Sequence, residues 1–110
     1  MGLIPEFFPQ VTGFEWDEGN SEKSWRRHGV TQAEAEQVFL NRPLLGAGGP
    51  KPASGEVRYH ALGRTDLGRL LAVVFTVRGS LLRVISARPM SRRERRSYAQ
   101  AQASETDPTL

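Results

Sequence analysis

From Arg69 to Pro89 the chain reads RLLAVVFTVRGSLLRVISARP. Two short runs rich in Val, Leu and Ile flank Arg-Gly-Ser, a hairpin link, and both are far too short to span a membrane. The first run, RLLAVVFTV, is almost wholly apolar, which predicts a central strand covered on both faces. The second, LLRVISA, alternates. Simple parity puts Arg83, Ile85 and Ala87 on one face and Leu82, Val84 and Ser86 on the other. Arg83 and Arg88 then point to opposite faces, unless a bulge or the bend at Pro89 re-aims Arg88. A third strand-like run precedes them. In EVRYHALG, Val57, Tyr59 and Ala61 share one face and Arg58, His60 and Leu62 the other, and RTDLGR supplies the Asp and Gly of a second hairpin turn.

Helical signals lie on either side of these strands. FEWDEGNSEKSWRRHG reads as a turn or strand start and then a helix of about ten residues stopped at Gly29. Phe14 and Trp16 are core or edge anchors, and their segment can add a short edge strand. In TQAEAEQVFLN, Thr31 and Glu34 make a capping box, and Ala35, Val38 and Phe39 make one apolar stripe, so a second helix runs from Val30 to about Leu40. NRPLLGAGGPKPASGE has no period and reads as a loop. After Pro89, SRRERRSYAQAQA is a helix opened by a second capping box, Ser91 with Glu94. The order is helix, helix, three antiparallel strands, helix: an α+β fold with helices on one antiparallel sheet. At 110 residues it is one domain.

Charge divides the chain unevenly. Residues 1–57 carry 5 basic and 8 acidic side chains, residues 58–96 carry 10 and 2, and thirteen of the fifteen cations are arginine. Arginine's planar fork matches phosphate in a bidentate way and stacks on bases. A basic second half therefore suits a polyanion or an acidic partner protein, although a solvated surface accounts for the same charge. The chain has no cysteine, which excludes disulfides and thiolate metal sites and favours a cytoplasmic setting. The start, MGLIPEFFPQ, lacks the basic region of a secretory signal and reads as a short extension.

Few residues can carry chemistry. His28 and His60 have no metal-ligand spacing, and GAGG at 46–49 lacks the Lys-Ser/Thr of a phosphate loop, so no metal or cofactor is expected. His28, just before Gly29, suits a helix C-terminus. What remains is arginine with a few acid–base groups: Arg78 at the Arg-Gly-Ser hairpin, Arg83 and Arg88 bracketing the last strand, Arg58 and His60 on one strand face, and Glu56 at the loop end. Each lone arginine is as readily a surface side chain or half of an ion pair; their number on one sheet is the signal.

The segments FEWDE, RRHGV, AEQVFLN, EVRYHALGRTDLGRLLAVVFTVR and LRVISARPMSRRERRSY follow the order and spacing of the BrnT family. The chain resembles that family from about Phe14 to Tyr98. The resemblance implies a RelE-like α+β fold with two N-terminal helices, an antiparallel sheet of three to four strands and a C-terminal helix. It also divides the chain into an extension at 1–13, the toxin domain at 14–98 and a helix end with a disordered tail at 99–110. Arg78 is the family's F-T-x-R arginine, Arg88 its I-S-A-R arginine, and Glu56, Arg58 and Tyr59 answer to its E-R-Y triplet. Asn20 stands where the family usually has Lys, Ser24 where it has Asn, and Arg27 opens its K-H-G.

The resemblance further implies a toxin of a type II toxin–antitoxin module, an endoribonuclease that cleaves mRNA without metal and inhibits translation. Its partners would be a cognate antitoxin with a ribbon-helix-helix domain, RNA, and operator DNA through the antitoxin, with no membrane. Cleavage needs a base for the ribose 2′-hydroxyl, cations at the phosphate and an acid for the leaving oxygen. Arg78, Arg83 and Arg88 are the expected phosphate grip, with Arg58 near and His60 or Glu56 as base or acid. Arg92, Arg93, Arg95 and Arg96 are expected to follow the RNA backbone or bind acidic antitoxin groups, and Trp25 or Tyr59 to stack on a base. The alternatives are a basic module that binds without cleaving, or a degenerate toxin kept for operon control.

Overall fold

The computed structural model describes residues 10–48 and 55–105. The expectations of an N-terminal extension over residues 1–9 and of a tail beyond residue 105 lie outside them. The elements are β1 (Gly13–Glu15), α1 (Glu18–Ser21), α2 (Lys23–His28), α3 (Gln32–Val38), β2 (Leu45–Gly48), β3 (Tyr59–Arg64), β4 (Leu70–Arg78), β5 (Leu81–Pro89) and α4 (Arg92–Glu105). They form one five-stranded sheet in the order β1-β5-β4-β3-β2.

The α+β class and the β3–β4–β5 meander follow the expected pattern, with two differences in the sheet. β2 lies inside the stretch read as loop and pairs antiparallel with β3, Leu45 opposite Leu62. Its Gly-rich sequence gives no apolar alternation, so only the neighbouring strand reveals it. β1 pairs parallel with β5, Phe14 opposite Leu82 and Glu15 opposite Arg83, so the sheet is mixed. The helix expected after Trp16 is two short helices. Asp17 caps α1 by accepting from Gly19 N at 2.8 Å, and α2 ends at Gly29, whose φ of 63° suits glycine.

The core lies on one face of the sheet, between the strands and α3. Leu71, Val73, Phe75, Leu82, Val84 and Ala87 meet Ala35, Val38 and Phe39, the expected stripe of α3. Val11 is fully buried in the same cluster, so the segment expected as extension contributes to the core. Phe39 connects the layers, 5.8 Å from the Phe14 ring and edge-on to Phe75 at 5.1 Å. At Gly63 a Cβ would come within 2.6 Å of Val38 Cγ1, so α3 sits as close to β3 as it does because that residue has no side chain. Met90 and Tyr98 are buried outside this cluster, and the Tyr98 hydroxyl donates to Pro43 O at 2.7 Å. Arg69 ties the β3–β4 hairpin to the helices: its guanidinium donates to Gly29 O, His28 O and Glu34.

A β-bulge sets the facing of β5. Val74 pairs with Ser86 and Phe75 with Val84, which leaves Ile85 unpaired. The extra residue reverses parity beyond it. Ala87 therefore joins Leu82 and Val84 in the core, and Ser86 moves to the face of Arg83. This corrects the simple alternation, which put Ala87 with Arg83. It also brings Arg83 and Arg88 to the same face.

The outer edge of β5 is covered in three pieces. β1 pairs as far as Arg83. Beyond it, buried Asn20 donates from Nδ2 to Val84 O at 2.9 Å and to Glu15 O at 3.0 Å, and accepts from Asp17 N at 2.8 Å. Ser24 Oγ then accepts from Ala87 N at 2.8 Å. Asn20→Ala would leave all three of its partners unpaired, and we expect a loss of about 1–3 kcal/mol in urea unfolding; Ser21→Ala, next to it, serves as the control and should change little.

Candidate functional site

The sheet face opposite the core carries the arginines. Cross-strand partners share a face, so β1, β4 and β5 set Glu15, Thr76 and Arg83 in one row. Arg78, two residues beyond Thr76 on β4, projects from the same face at the end of that strand. His60, Val74 and Ser86 form the next row, and Leu62, Ala72 and Arg88 the one after it.

Arg78 and Arg83 meet at a shared carboxylate. Glu15 Oε1 accepts from Arg78 Nη1 at 3.2 Å and from Arg83 Nη1 at 3.1 Å. Glu56 flanks Arg78, accepting from Nε at 2.9 Å and from Nη2 at 3.4 Å. Asp17 flanks Arg83, accepting from Nη1 at 2.9 Å and Nη2 at 3.1 Å. The result is an alternating chain, Glu56–Arg78–Glu15–Arg83–Asp17. The two arginines differ in access: the Arg78 side chain is 50% exposed and that of Arg83 only 15%. The Arg78 hydrogen bonds hold the Glu56 carboxyl below its usual range, helped by the charges of Arg58 and Arg83. Arg83 does the same to Asp17, joined by the Gly19 N–H. Both acids are thus anions at neutral pH, and both arginines are held more firmly protonated, Arg78 chiefly by Glu56 and Arg83 chiefly by Asp17.

Arg88 stands apart from this group. It shares their face but sits roughly 13 Å further along β5, four regular strand steps past Arg83. Its fork is bidentate to Glu94, at 2.7 and 2.9 Å, and Nη1 also donates to Pro89 O. The expected three-arginine grip is therefore a pair, Arg78 with Arg83, and a separate Arg88. Glu94 completes the expected capping box with Ser91, accepting from Ser91 N at 2.8 Å. The same carboxylate closes the helix start and clamps the end of β5.

The remaining candidates are spread over the surface. His60 is exposed on β3, one row from Arg83 and two from Arg78; Arg58 is exposed just before β3. Arg92, Arg93, Arg95 and Arg96 are exposed on α4, and Arg95 donates to Met90 O at 3.0 Å. Trp25 is 58% exposed on α2. Tyr59 is half-buried and stacks on Phe75 at 5.5 Å, which is core packing. An open cleft lined by Gly55, Glu56, Val57, Tyr59, Thr76 and Val77 adjoins Arg78 through Glu56. Sequence reasoning missed Glu15 and Asp17. The period-2 signal existed: with Phe14 inward, Glu15 must face outward beside the arginines.

This small α+β domain, with arginines and carboxylates gathered on one sheet face, is similar to ribonuclease toxins. The family model described as "Ribonuclease toxin, BrnT, of type II toxin-antitoxin system" matches residues 16–94, and the chain belongs to that family. It is similar to the 1.1 Å crystal structure of the Brucella abortus ribonuclease toxin BrnT, with 27% identity and a TM-score of 0.52 over 74% of this chain and all of that one. No curated protein matches. The family implies a cognate antitoxin as partner. Among the described residues no helix is long and apolar enough to cross a membrane.

The Arg88 clamp gives a pH prediction. Its hydrogen bonds draw the Glu94 carboxyl down to about 2. A depressed carboxylate stabilises the fold above its unfolded value, and that contribution is lost as pH falls through the folded value. The stability advantage of the wild type over Glu94→Gln should therefore be full at pH 6 and shrink steadily between about 4.5 and 2. Urea melts of both proteins at several pH values across that window measure it.

Proposed function

We propose that this chain is an endoribonuclease toxin that cleaves mRNA and so inhibits translation, using guanidinium groups at the phosphate in place of a metal ion. The observation that carries the reading is the Arg78–Glu15–Arg83 junction, which places two forks side by side on an open sheet face. Arg78 is the exposed member. It meets the scissile phosphate by exchanging some of its carboxylate contacts for phosphate oxygens, and it neutralises the charge that builds as the 2′-hydroxyl attacks.

We assign Glu56, ionised and beside Arg78, to accept the 2′-hydroxyl proton, and His60, two rows from Arg78 on the same face, to protonate the leaving 5′-oxygen. A carboxylate held this acidic is a weak base. Most of the rate enhancement then rests on charge stabilisation and on orientation of the substrate, for which a translating ribosome is one source. Arg58 and the α4 arginines Arg92, Arg93, Arg95 and Arg96 follow the RNA backbone, with Trp25 a surface for an unstacked base. Arg88 shapes the start of α4 through Glu94 and reaches RNA only by leaving it. We place the protein in the cytoplasm with a RelE-like fold, silenced by a ribbon-helix-helix antitoxin through which it reaches operator DNA.

One observation favours a second reading. Arg78, Arg83 and Arg88 are each matched by a carboxylate, as in a degenerate toxin retained for operon control. Inducible expression separates the two. The active reading expects growth arrest and RNA cleavage with wild type, and loss of both with Arg78→Ala, cleavage falling about 100-fold or more, while antitoxin binding is kept. Wild type that is harmless, and leaves RNA intact both free and on translating ribosomes, would establish the second. RNA affinity should also fall with salt, and Arg78→Ala should reduce the slope of log K against log salt by about 0.7, the share of one phosphate contact on a single strand.

A further inference from the structure

Glu15 lies one residue before the family match begins, and no role is assigned to it by the matched segment. Its setting is unusual for a surface carboxylate on a site meant for RNA. One oxygen, Oε1, accepts from both Arg78 and Arg83, at 3.2 and 3.1 Å. Two guanidiniums on adjacent strands repel each other, and a shared anion between them offsets that repulsion. The anion is itself well placed: β1 is a three-residue strand pinned at its start by Thr12 N donating to Ser80 O at 2.8 Å and at its end by Asn20 holding Glu15 O.

Arg83 is ill suited to touch substrate. Its side chain is 15% exposed, and both of its terminal nitrogens are committed, Nη1 to Glu15 and Asp17 and Nη2 to Asp17. Asp17 is held in turn as the cap of α1. The contacts run from Asp17 to Arg83 to Glu15 to Arg78, the half-exposed member, whose other side is held by Glu56. Resting on the reading above that Arg78 grips the scissile phosphate, we propose that Glu15 is a positioning residue for RNA cleavage. Its carboxylate, braced by Arg83, fixes the angle at which Arg78 presents its fork to the phosphate, and Arg83 acts through Glu15 without touching RNA.

This has an unusual signature. A carboxylate beside the phosphate site opposes RNA binding, so removing its charge should not weaken affinity; it should weaken only the rate. The test uses the full chain released from its antitoxin and a labelled mixed-sequence single-stranded RNA, with translating ribosomes added if wild type requires them. For Glu15→Gln, single-turnover cleavage at saturating RNA should fall about tenfold while RNA affinity is unchanged or tighter. For Arg83→Gln, which removes the cation that braces Glu15 and Asp17, the rate should fall with the salt slope of binding unchanged. Glu15→Asp, which keeps the charge but shortens the reach to Arg78, should be slowed like Glu15→Gln, and it carries the test if Glu15→Gln fails to fold.

Cleavage by folded Glu15→Gln or Glu15→Asp at or above the wild-type rate would overturn the proposal, since Glu15 would then be at most a competing anion. Loss of affinity and rate together would also overturn it, as would a reduced salt slope in Arg83→Gln, which would make Arg83 a phosphate contact. Arg78→Ala, run in parallel, separates the two levels: if it cleaves as wild type does, the reading of Arg78 itself has failed; if it is dead, the result at Glu15 stands alone.

Discussion

Strand β5 has two edges, and only one of them can be satisfied by the hairpin it shares with β4. Unpaired backbone groups next to a buried core are costly, so the other edge must find partners. It finds β1 as far as Arg83, the Asn20 amide at Val84 O, and the Ser24 hydroxyl at Ala87 N. Each solution has a consequence beyond stability. β1 carries Glu15 to the side of Arg83, the cap of α1 carries Asp17 to the other side of the same guanidinium, and α2 is fixed along the strand's far half. The candidate site is thus a by-product of how one strand is covered.

The bulge at Ile85 acts on the same strand. Without it, Arg83 and Arg88 would lie on opposite faces; with it, the sheet has a core face and an arginine face along its whole length. Sharing a face does not make the arginines equivalent. Glu94 takes Arg88 into the start of α4. Asp17 and Glu15 take up Arg83 from two sides, which leaves its side chain 15% exposed against 50% for Arg78 and 45% for Arg88. Distance along the strand and the placement of anions, more than the number of cations, decide which arginine is available to a phosphate.

The residues themselves disclosed much of this. Alternation over residues 57–62 and the apolar run after Arg69 gave the meander and its facing, and the Thr31–Glu34 and Ser91–Glu94 spacings marked two helix starts, because these signals are local. What stayed hidden depends on neighbours distant in sequence. β2 has four residues, LGAG, with no pattern until β3 lies beside them. The direction of β1 is set by the edge of β5, sixty-eight positions away at Glu15 and Arg83. The bulge leaves no local mark, so simple alternation puts Ala87 on the wrong face. Glu15 and Asp17 flank Trp16, and their roles emerge only once β1 and β5 are adjacent.

The centre of the account is that RNA is engaged at the Arg78 end of the arginine face. The most direct measurement is nuclear magnetic resonance of the arginine side-chain Nε–H groups during titration with an RNA oligonucleotide methylated at its 2′-hydroxyls, which binds but cannot be cleaved. The account predicts a saturable shift of Arg78 Nε as its contact with Glu56 exchanges for phosphate, with a smaller, indirect change at Arg83. Shifts confined to Arg92, Arg93, Arg95 and Arg96, with Arg78 and Arg83 unmoved at saturation, would contradict it.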